Sequence, residues 1–293
     1  MVVVSDPATA PRRSRTPRLT EVVEVERLSP GMIRIVLGGA GLAGFDAGEF
    51  TDRYVKLQLP PPGASYSAPF DVEEVRGRLP SDQWPRTRTF TVAHWDTERQ
   101  RLTIDFVIHG DSGVAGPWAA AAQPSDKLQL QGPGGAYAPD PHADWHLMVG
   151  DASVLPAISA SLARVAAGIP VYVLVELDSP DERRELRTPG ELHVTWVDHA
   201  AADQGDDGGL YRAVTKLAFP AGRADCFVHG EANAVRAIRR HLLVDRQLDR
   251  EALSISGYWK RDRTDEGWRA EKPEWNRLVE EDLQAAGDRV GRA

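Results

Sequence analysis

The 293-residue chain contains a single cysteine, Cys226, so no disulfide forms within it, and no Cys/His cluster has zinc or iron–sulfur spacing. Cys226 lies in the apolar run Cys226-Phe227-Val228, where a buried thiol is expected rather than a nucleophile. No stretch approaches the ~18 consecutive apolar residues of a membrane span, so membrane insertion is not expected. Arg12, Arg13, Arg15 and Arg18 have no apolar segment behind them, which argues against a secretory signal. Positive charge is also in deficit. Lys and Arg number 35 against 43 Asp and Glu, and the net charge of −8 argues against a nucleic-acid binder. These absences predict a cytoplasmic protein in a reducing compartment, with residues 1–17 as a disordered basic tail.

What remains is an ordinary soluble composition, 42% hydrophobic and 27% charged, on a length suited to about two domains. From Leu19 to about Ala138 the pattern is β. Val23 and Val25 alternate with charged residues, and strands are predicted at 32–37, 54–59, 89–95, 102–108 and 127–131. Six antiparallel strands with Gly, Pro and Asp turns predict a small closed barrel, since closure removes exposed edges. The only helix expected there is a short one near Pro117 to Ala122.

After Gly132-Pro133-Gly134-Gly135 strands and helices alternate. Strands are predicted at 146–149, 171–177, 192–197, 226–228 and 253–255, with helices at 153–167, 209–217 and 232–244. The all-apolar run from Val171 suits a strand buried on both faces of a parallel sheet. The expectation is a doubly wound α/β domain at 141–256, after a barrel domain at 18–140. Residues 257–293 read as a polar loop and a helix from about Pro273, with the proline in the first turn.

The most telling tetrapeptide is Arg88-Thr89-Phe90-Thr91. An arginine offers a fork of donors to a phosphate, and a threonine hydroxyl can bond the polar edge of a flavin ring. Alone, it also reads as a surface arginine beside strand threonines. A barrel followed by a nucleotide-type α/β domain is the layout of flavin reductases, and that order favours the flavin.

Seven segments in order carry a resemblance. They are Tyr54-Val55-Lys56-Leu57, the Arg88-to-Thr91 strand, Asp105-Phe106-Val107-Ile108-His109-Gly110, and Gly132-Pro133-Gly134-Gly135-Ala136-Tyr137. Gly150-Asp151-Ala152-Ser153-Val154-Leu155-Pro156-Ala157-Ile158, His229-Gly230-Glu231-Ala232, and Gly257-Tyr258-Trp259-Lys260 with Gly267-Trp268 complete them. From Leu19 to Trp268 the chain resembles the siderophore-interacting proteins, FAD-dependent ferric-siderophore reductases of the ferredoxin reductase-like superfamily.

The resemblance implies a six-stranded antiparallel FAD-binding barrel, a doubly wound parallel-sheet NAD(P)H-binding domain and a C-terminal helical tail contributing to the substrate pocket. It assigns Arg88, Thr89 and Thr91 to the flavin, with Phe90 standing where the family usually has Tyr. Asp105 and Val107 lie on a strand over the flavin, with His109 near its ribityl–pyrophosphate portion. Gly113, Val114, Ala115 and Trp118 form a loop entering a helix whose N–H groups suit the pyrophosphate. Asp151 and Ser153 fall near the nicotinamide, although helix capping explains them equally well. Glu231 falls near nicotinamide and flavin, with a helix-terminal carboxylate as the competing explanation. Lys56 and Lys260 match the family's basic rim for an anionic ferric siderophore, with Arg261 and Arg263 nearby, although a solvated loop explains the basic residues after Gly257 as well. Trp259 and Trp268 either pack over the flavin or sit in the core. The implied activity moves hydride from NADPH or NADH to FAD and single electrons to Fe(III), in a monomer. The 141–256 domain has no Gly-x-Gly-x-x-Gly run to separate NADH from NADPH. A flavin reductase with another acceptor and a non-catalytic siderophore binder remain the alternatives.

Overall fold

The computed structural model describes residues 17–108, 113–199 and 208–290, with side chains to 282. The expected tail before Pro17, and His109, lie outside the described residues. The N-terminal unit runs β1 (Arg18–Ser29), β2 (Met32–Gly38), β3 (Tyr54–Leu59), α1 (Val72–Arg78), β4 (Arg86–Thr91), β5 (His94–Asp96), β6 (Arg101–Val107), α2 (Ala115–Ala121) and β7 (Lys127–Gly134). Its seven strands form one sheet in the order β4-β3-β7-β1-β2-β6-β5, antiparallel throughout.

The two end strands of that sheet are neighbours in sequence. The expected strand at 89–95 is divided by a bend: Val92 N–H bonds Arg53 O at 2.8 Å, while Ala93 N–H bonds Thr103 O at 2.9 Å. One segment therefore leaves the first edge and joins the last, curling the sheet into a barrel. Ile35, Leu37, Val55, Leu57, Ile104, Phe106 and Leu130 fill the interior. α1 was not expected; Asp71 caps it by accepting from Glu73 N and Glu74 N.

The second unit runs β8 (Trp145–Asp151), α3 (Leu155–Leu162), β9 (Pro170–Leu177), β10 (Glu191–Asp198), α4 (Gly208–Lys216), β11 (Ala224–Glu231), α5 (Ala232–Arg240), β12 (Leu253–Trp259) and α6 (Asp265–Val290). Its strands are parallel in the order β10-β9-β8-β11-β12. Consecutive buried residues such as Leu147-Met148-Val149 and Cys226-Phe227-Val228 show that both faces are covered. Cys226 is buried, and burial pushes its thiol pKa up, as suits a structural residue.

The C-terminal helix starts eight residues before the expected point, at Asp265 rather than near Pro273. Thr264 Oγ1 accepts from Gly267 N at 3.1 Å, and Asp265 and Glu266 occupy the first turn, where carboxylates complement the helix dipole. Pro273 is thus interior and supplies no N–H to the preceding turn. Aromatic burial on both sides holds the helix through it. Trp268 and Trp275 are 2% and 6% exposed, and Trp275 Nε1 donates to Ala232 O at 3.1 Å.

Candidate functional site at the strand ends

The carboxyl ends of β8, β11 and β12 converge on Asp151. Its Oδ1 accepts from Ser153 N at 2.9 Å and Ser153 Oγ at 2.6 Å, and its Oδ2 from Glu231 N and Trp259 Nε1, both at 2.9 Å. Burial raises its pKa while these donors oppose the shift. Gly230, at φ 129°, is required here because a Cβ would stand 2.4 Å from Asp151 Oδ2. One carboxylate therefore fixes the crevice rim where a parallel sheet takes its ligand.

Glu231 caps α5: Oε2 accepts from Asn233 N at 2.8 Å and Ala234 N at 3.0 Å, while Oε1 accepts from Arg261 N at 3.1 Å. The helix-terminal explanation accounts for its position. Trp259 is 38% exposed at this rim, whereas Trp268 belongs to the core.

Two residues that the sequence reading gave no role stand beside them. His229 is buried and stacks on Phe227 with 3.9 Å between centroids. Its Nδ1 lies 3.0 Å from Tyr258 Oη and its Nε2 3.0 Å from Ser254 Oγ. Thr91 on the barrel is near enough to Tyr258 to oppose the rise that burial gives its pKa. Burial and the Lys272 charge push the His229 pKa down to about 3, and burial raises that of Tyr258. Both residues lay within quoted segments, but nothing in a continuous apolar strand says which side chain meets the neighbouring unit.

On the barrel, Arg88 is 14% exposed and its guanidinium is already engaged. Nη1 donates to Glu266 Oε1 at 2.7 Å and Asp265 Oδ2 at 3.2 Å, and Nη2 donates to Glu266 Oε2 at 3.2 Å. The first turn of α6 thus occupies the fork. Arg269 Nη2 adds a bond to Thr87 O at 2.6 Å, tying the same helix to β4. Phe90 packs against Phe106 with centroids 4.4 Å apart, and Phe106 meets Trp118 at 5.7 Å. Thr89 and Lys56 are cross-strand partners, both exposed.

Asp105, which the resemblance assigns to the cofactor, is paired within the protein. Its side chain is 1% exposed, bonded by Arg34 Nε at 2.8 Å, Arg34 Nη2 at 2.9 Å and Arg184 Nη1 at 3.1 Å. A carboxylate buried this far needs charged donors, and these saturate it. Arg184 comes from the β9–β10 connection, so the cluster pins the second unit to the barrel. Val107 ends β6 opposite Met32, half-buried. Gly113 is exposed at φ 82° before α2, Val114 offers no side-chain cap, and Ala115 is buried under the helix.

Lys260 and Arg263 share one partner. Lys260 Nζ donates to Glu271 Oε2 at 2.8 Å and Arg263 Nε to Glu271 Oε1, which together hold the Glu271 carboxyl below its usual range. Both cations are thus drawn onto one carboxylate of α6. Lys56 is exposed on β3 of the barrel.

Comparison with known proteins covers both units. Residues 21–137 match the siderophore-interacting FAD-binding domain, and residues 143–262 match the siderophore-interacting protein family. The ferric vibriobactin reductase of Vibrio cholerae is 31% identical over 261 residues, spanning 87% of this chain and 94% of that protein. The NADPH-dependent ferric-chelate reductase of Escherichia coli is 32% identical over 242 residues, spanning 81% and 91%. The crystal structure of a siderophore utilization protein from T. fusca superposes with a TM-score of 0.72 at 32% identity, covering 85% of this chain and 95% of that one.

Proposed function

Because the chain belongs to the siderophore-interacting protein family, we propose that it is an FAD-dependent reductase carrying electrons from NADPH or NADH to the Fe(III) of a ferric siderophore. The observation that carries this reading is the pair of family matches falling on a barrel and a parallel sheet that Arg184 and Asp105 pin together. We take residues 18–140 as the flavin unit, 141–256 as the nicotinamide unit, and the tail from Gly257 as part of the substrate pocket. The low cysteine count and net charge of −8 support a cytoplasmic monomer that binds no nucleic acid. Among the described residues no helix is long and apolar enough to cross a membrane.

The donor set suits FAD. Arg88 already grips two carboxylate oxygens of Glu266 in the fork geometry that serves a phosphate equally well. Thr91 offers a hydroxyl at the junction of the units, and Thr89 an exposed one on the adjoining face. Bound FAD would supply what no side chain does, taking up an electron pair and releasing electrons singly. The protein's own task is placement. Asp151 holds the nicotinamide crevice in shape, with Ser153 and Trp259 bonded to it. Lys56, Lys260 and Arg263 give an anionic iron chelate a cationic approach on an acidic protein. Fe(III) is held by hard oxygen ligands more tightly than Fe(II), so its reduction loosens the metal.

The direct test is FAD reconstitution, anaerobic bleaching by NADPH or NADH, and ferric siderophore addition with ferrozine present. FAD uptake, bleaching and a coloured Fe(II) complex are expected; absence of FAD uptake ends the reading. Lys260→Ala should raise the half-saturating siderophore concentration about fivefold, the scale of one exposed charge contact near 1 kcal/mol, with FAD content unchanged. Lost FAD with unchanged saturation would remove Lys260 from the substrate rim.

A further inference from the structure

The strand order β10-β9-β8-β11-β12 puts β10 and β12 at opposite edges of the parallel sheet. Four strand spacings of about 4.8 Å separate them, so their ends stand roughly 19 Å apart. A hydrogen bond nevertheless joins the two edges. Arg261, two residues beyond β12, brings Nη1 to 2.9 Å from Nε2 of His199, the first residue after β10. All five strands run in one direction, so this contact passes over the carboxyl ends of β9, β8 and β11. From β8 the chain proceeds first to β9 on one side and later to β11 on the other. A doubly wound sheet takes its ligand at that reversal.

The chemistry of the contact fixes its direction. A guanidinium has donors and no acceptor, so Nε2 receives the bond and the ring proton sits on Nδ1. Nδ1 lies 3.0 Å from Glu176 Oε1, the acceptor it needs. The catch is anchored behind: His199 N donates to Leu177 O at 2.9 Å, and Glu176 Oε2 accepts from Leu210 N at 3.3 Å. The root of the arm is anchored too, by Arg261 N on Glu231 Oε1 at 3.1 Å. Its neighbours Lys260 and Arg263 bond Glu271 on α6, whereas Arg261 reaches the far edge of the sheet. What spans the crevice between the two anchors is an exposed arginine side chain, held at its tip.

We propose that Arg261 is a dinucleotide-binding residue held in reserve, latched to His199 across the crevice and transferred to the pyrophosphate when NADH or NADPH enters. The inference rests on the reading that the second unit takes the nicotinamide donor. It assigns Arg261 to the electron donor rather than to the basic rim for the siderophore. A dinucleotide laid across the strand ends carries its pyrophosphate at mid-length, over the centre of the sheet, which is the span the arm crosses. Exchange is favourable because a phosphate offers the fork two charged acceptors, whereas His199 offers one neutral lone pair. A single exposed bond to a neutral ring is also weak enough to yield.

The test is calorimetric titration of the FAD-loaded, oxidised protein with NAD+ and NADP+, which bind without turnover. Arg261→Ala should weaken the tighter of the two about fivefold, because the lost grip on phosphate outweighs the lost latch. His199→Leu with Glu176→Gln removes the catch and the charge behind it, and should tighten binding about threefold. Adding Arg261→Ala to that pair should then weaken binding about fifteenfold, since no latch remains to be relieved. A larger loss in the catch-free background is the signature of the exchange, and a purely structural arginine would not give it. Equal losses in the two backgrounds overturn the inference alone. So does unchanged nucleotide affinity in Arg261→Ala with a raised half-saturating siderophore concentration, which returns the residue to the rim. FAD-loaded wild-type protein that takes up neither nucleotide and is bleached by neither NADH nor NADPH overturns the nicotinamide reading and this inference with it.

Discussion

Asp105→Ala should destabilise the protein by about 3–5 kcal/mol, the range for removing one partner of a buried ion pair. The aspartate is enclosed and receives three charged donor contacts from Arg34 and Arg184. Arg34 has water to fall back on at 34% side-chain exposure. Arg184 is more enclosed, and its Nε and Nη2 have no hydrogen-bond partner. Burial already lowers its pKa, with Asp105 the favourable charge opposing that shift. Without the carboxylate, Arg184 must either stay buried and uncompensated or withdraw its loop from the barrel. Urea unfolding reads the loss directly, and a change under about 1 kcal/mol would show that the cluster is solvated in solution. FAD affinity at low urea separates the two roles considered for Asp105. A structural pin leaves it near wild type, whereas a cofactor ligand would weaken it in proportion.

That distinction marks where sequence reading stops. Alternation placed the barrel strands because interior and exterior positions differ along β2, β3 and β6. It also sets Asp105 outward, between the core residues Ile104 and Phe106. It does not reveal that a loop 79 residues later covers that outward face with Arg184. The bend at Val92-Ala93 was illegible for a related reason. No glycine or proline breaks the run, and the two halves differ only in which strand they pair with. The C-terminal helix start was legible in Thr264-Asp265-Glu266, a cap with acidic first-turn residues, but Pro273 was the louder local signal. Tertiary burial of Trp268 and Trp275 overrode it. The flavin strand was legible as a donor set, since Arg88 and Thr91 announce their chemistry. The Arg88 partner Glu266 lies 178 residues away, on α6, and no local pattern encodes that pairing.

The Arg88 pairing gives the second large expectation. Arg88→Ala should weaken FAD binding by about 30- to 150-fold, the equivalent of about 2–3 kcal/mol for hydrogen bonds to a charged group. Two effects act together. The phosphate loses its fork of donors, and the Asp265 and Glu266 carboxylates that Arg88 neutralises are left facing it. The second effect makes Glu266→Gln informative in the opposite direction. Burial pushes the Glu266 carboxyl up, but the Arg88 contacts help to outweigh that and leave it below its usual range, so it is ionised whenever FAD is offered near neutral pH. Glu266→Gln removes one competing charge, leaves Asp265 to hold the helix terminus, and should tighten FAD binding. Fluorescence quenching of free FAD on titration with each variant measures both constants at fixed ionic strength. Raising salt should shrink the difference between the variants, because α6 contacts Arg88 through partly exposed carboxylates that salt screens. If Arg88→Ala binds FAD as tightly as the wild-type protein, the fork serves only to tether α6 to β4. The pyrophosphate then has to be sought at the turn before α2, where Gly113 and Val114 lead into the helix.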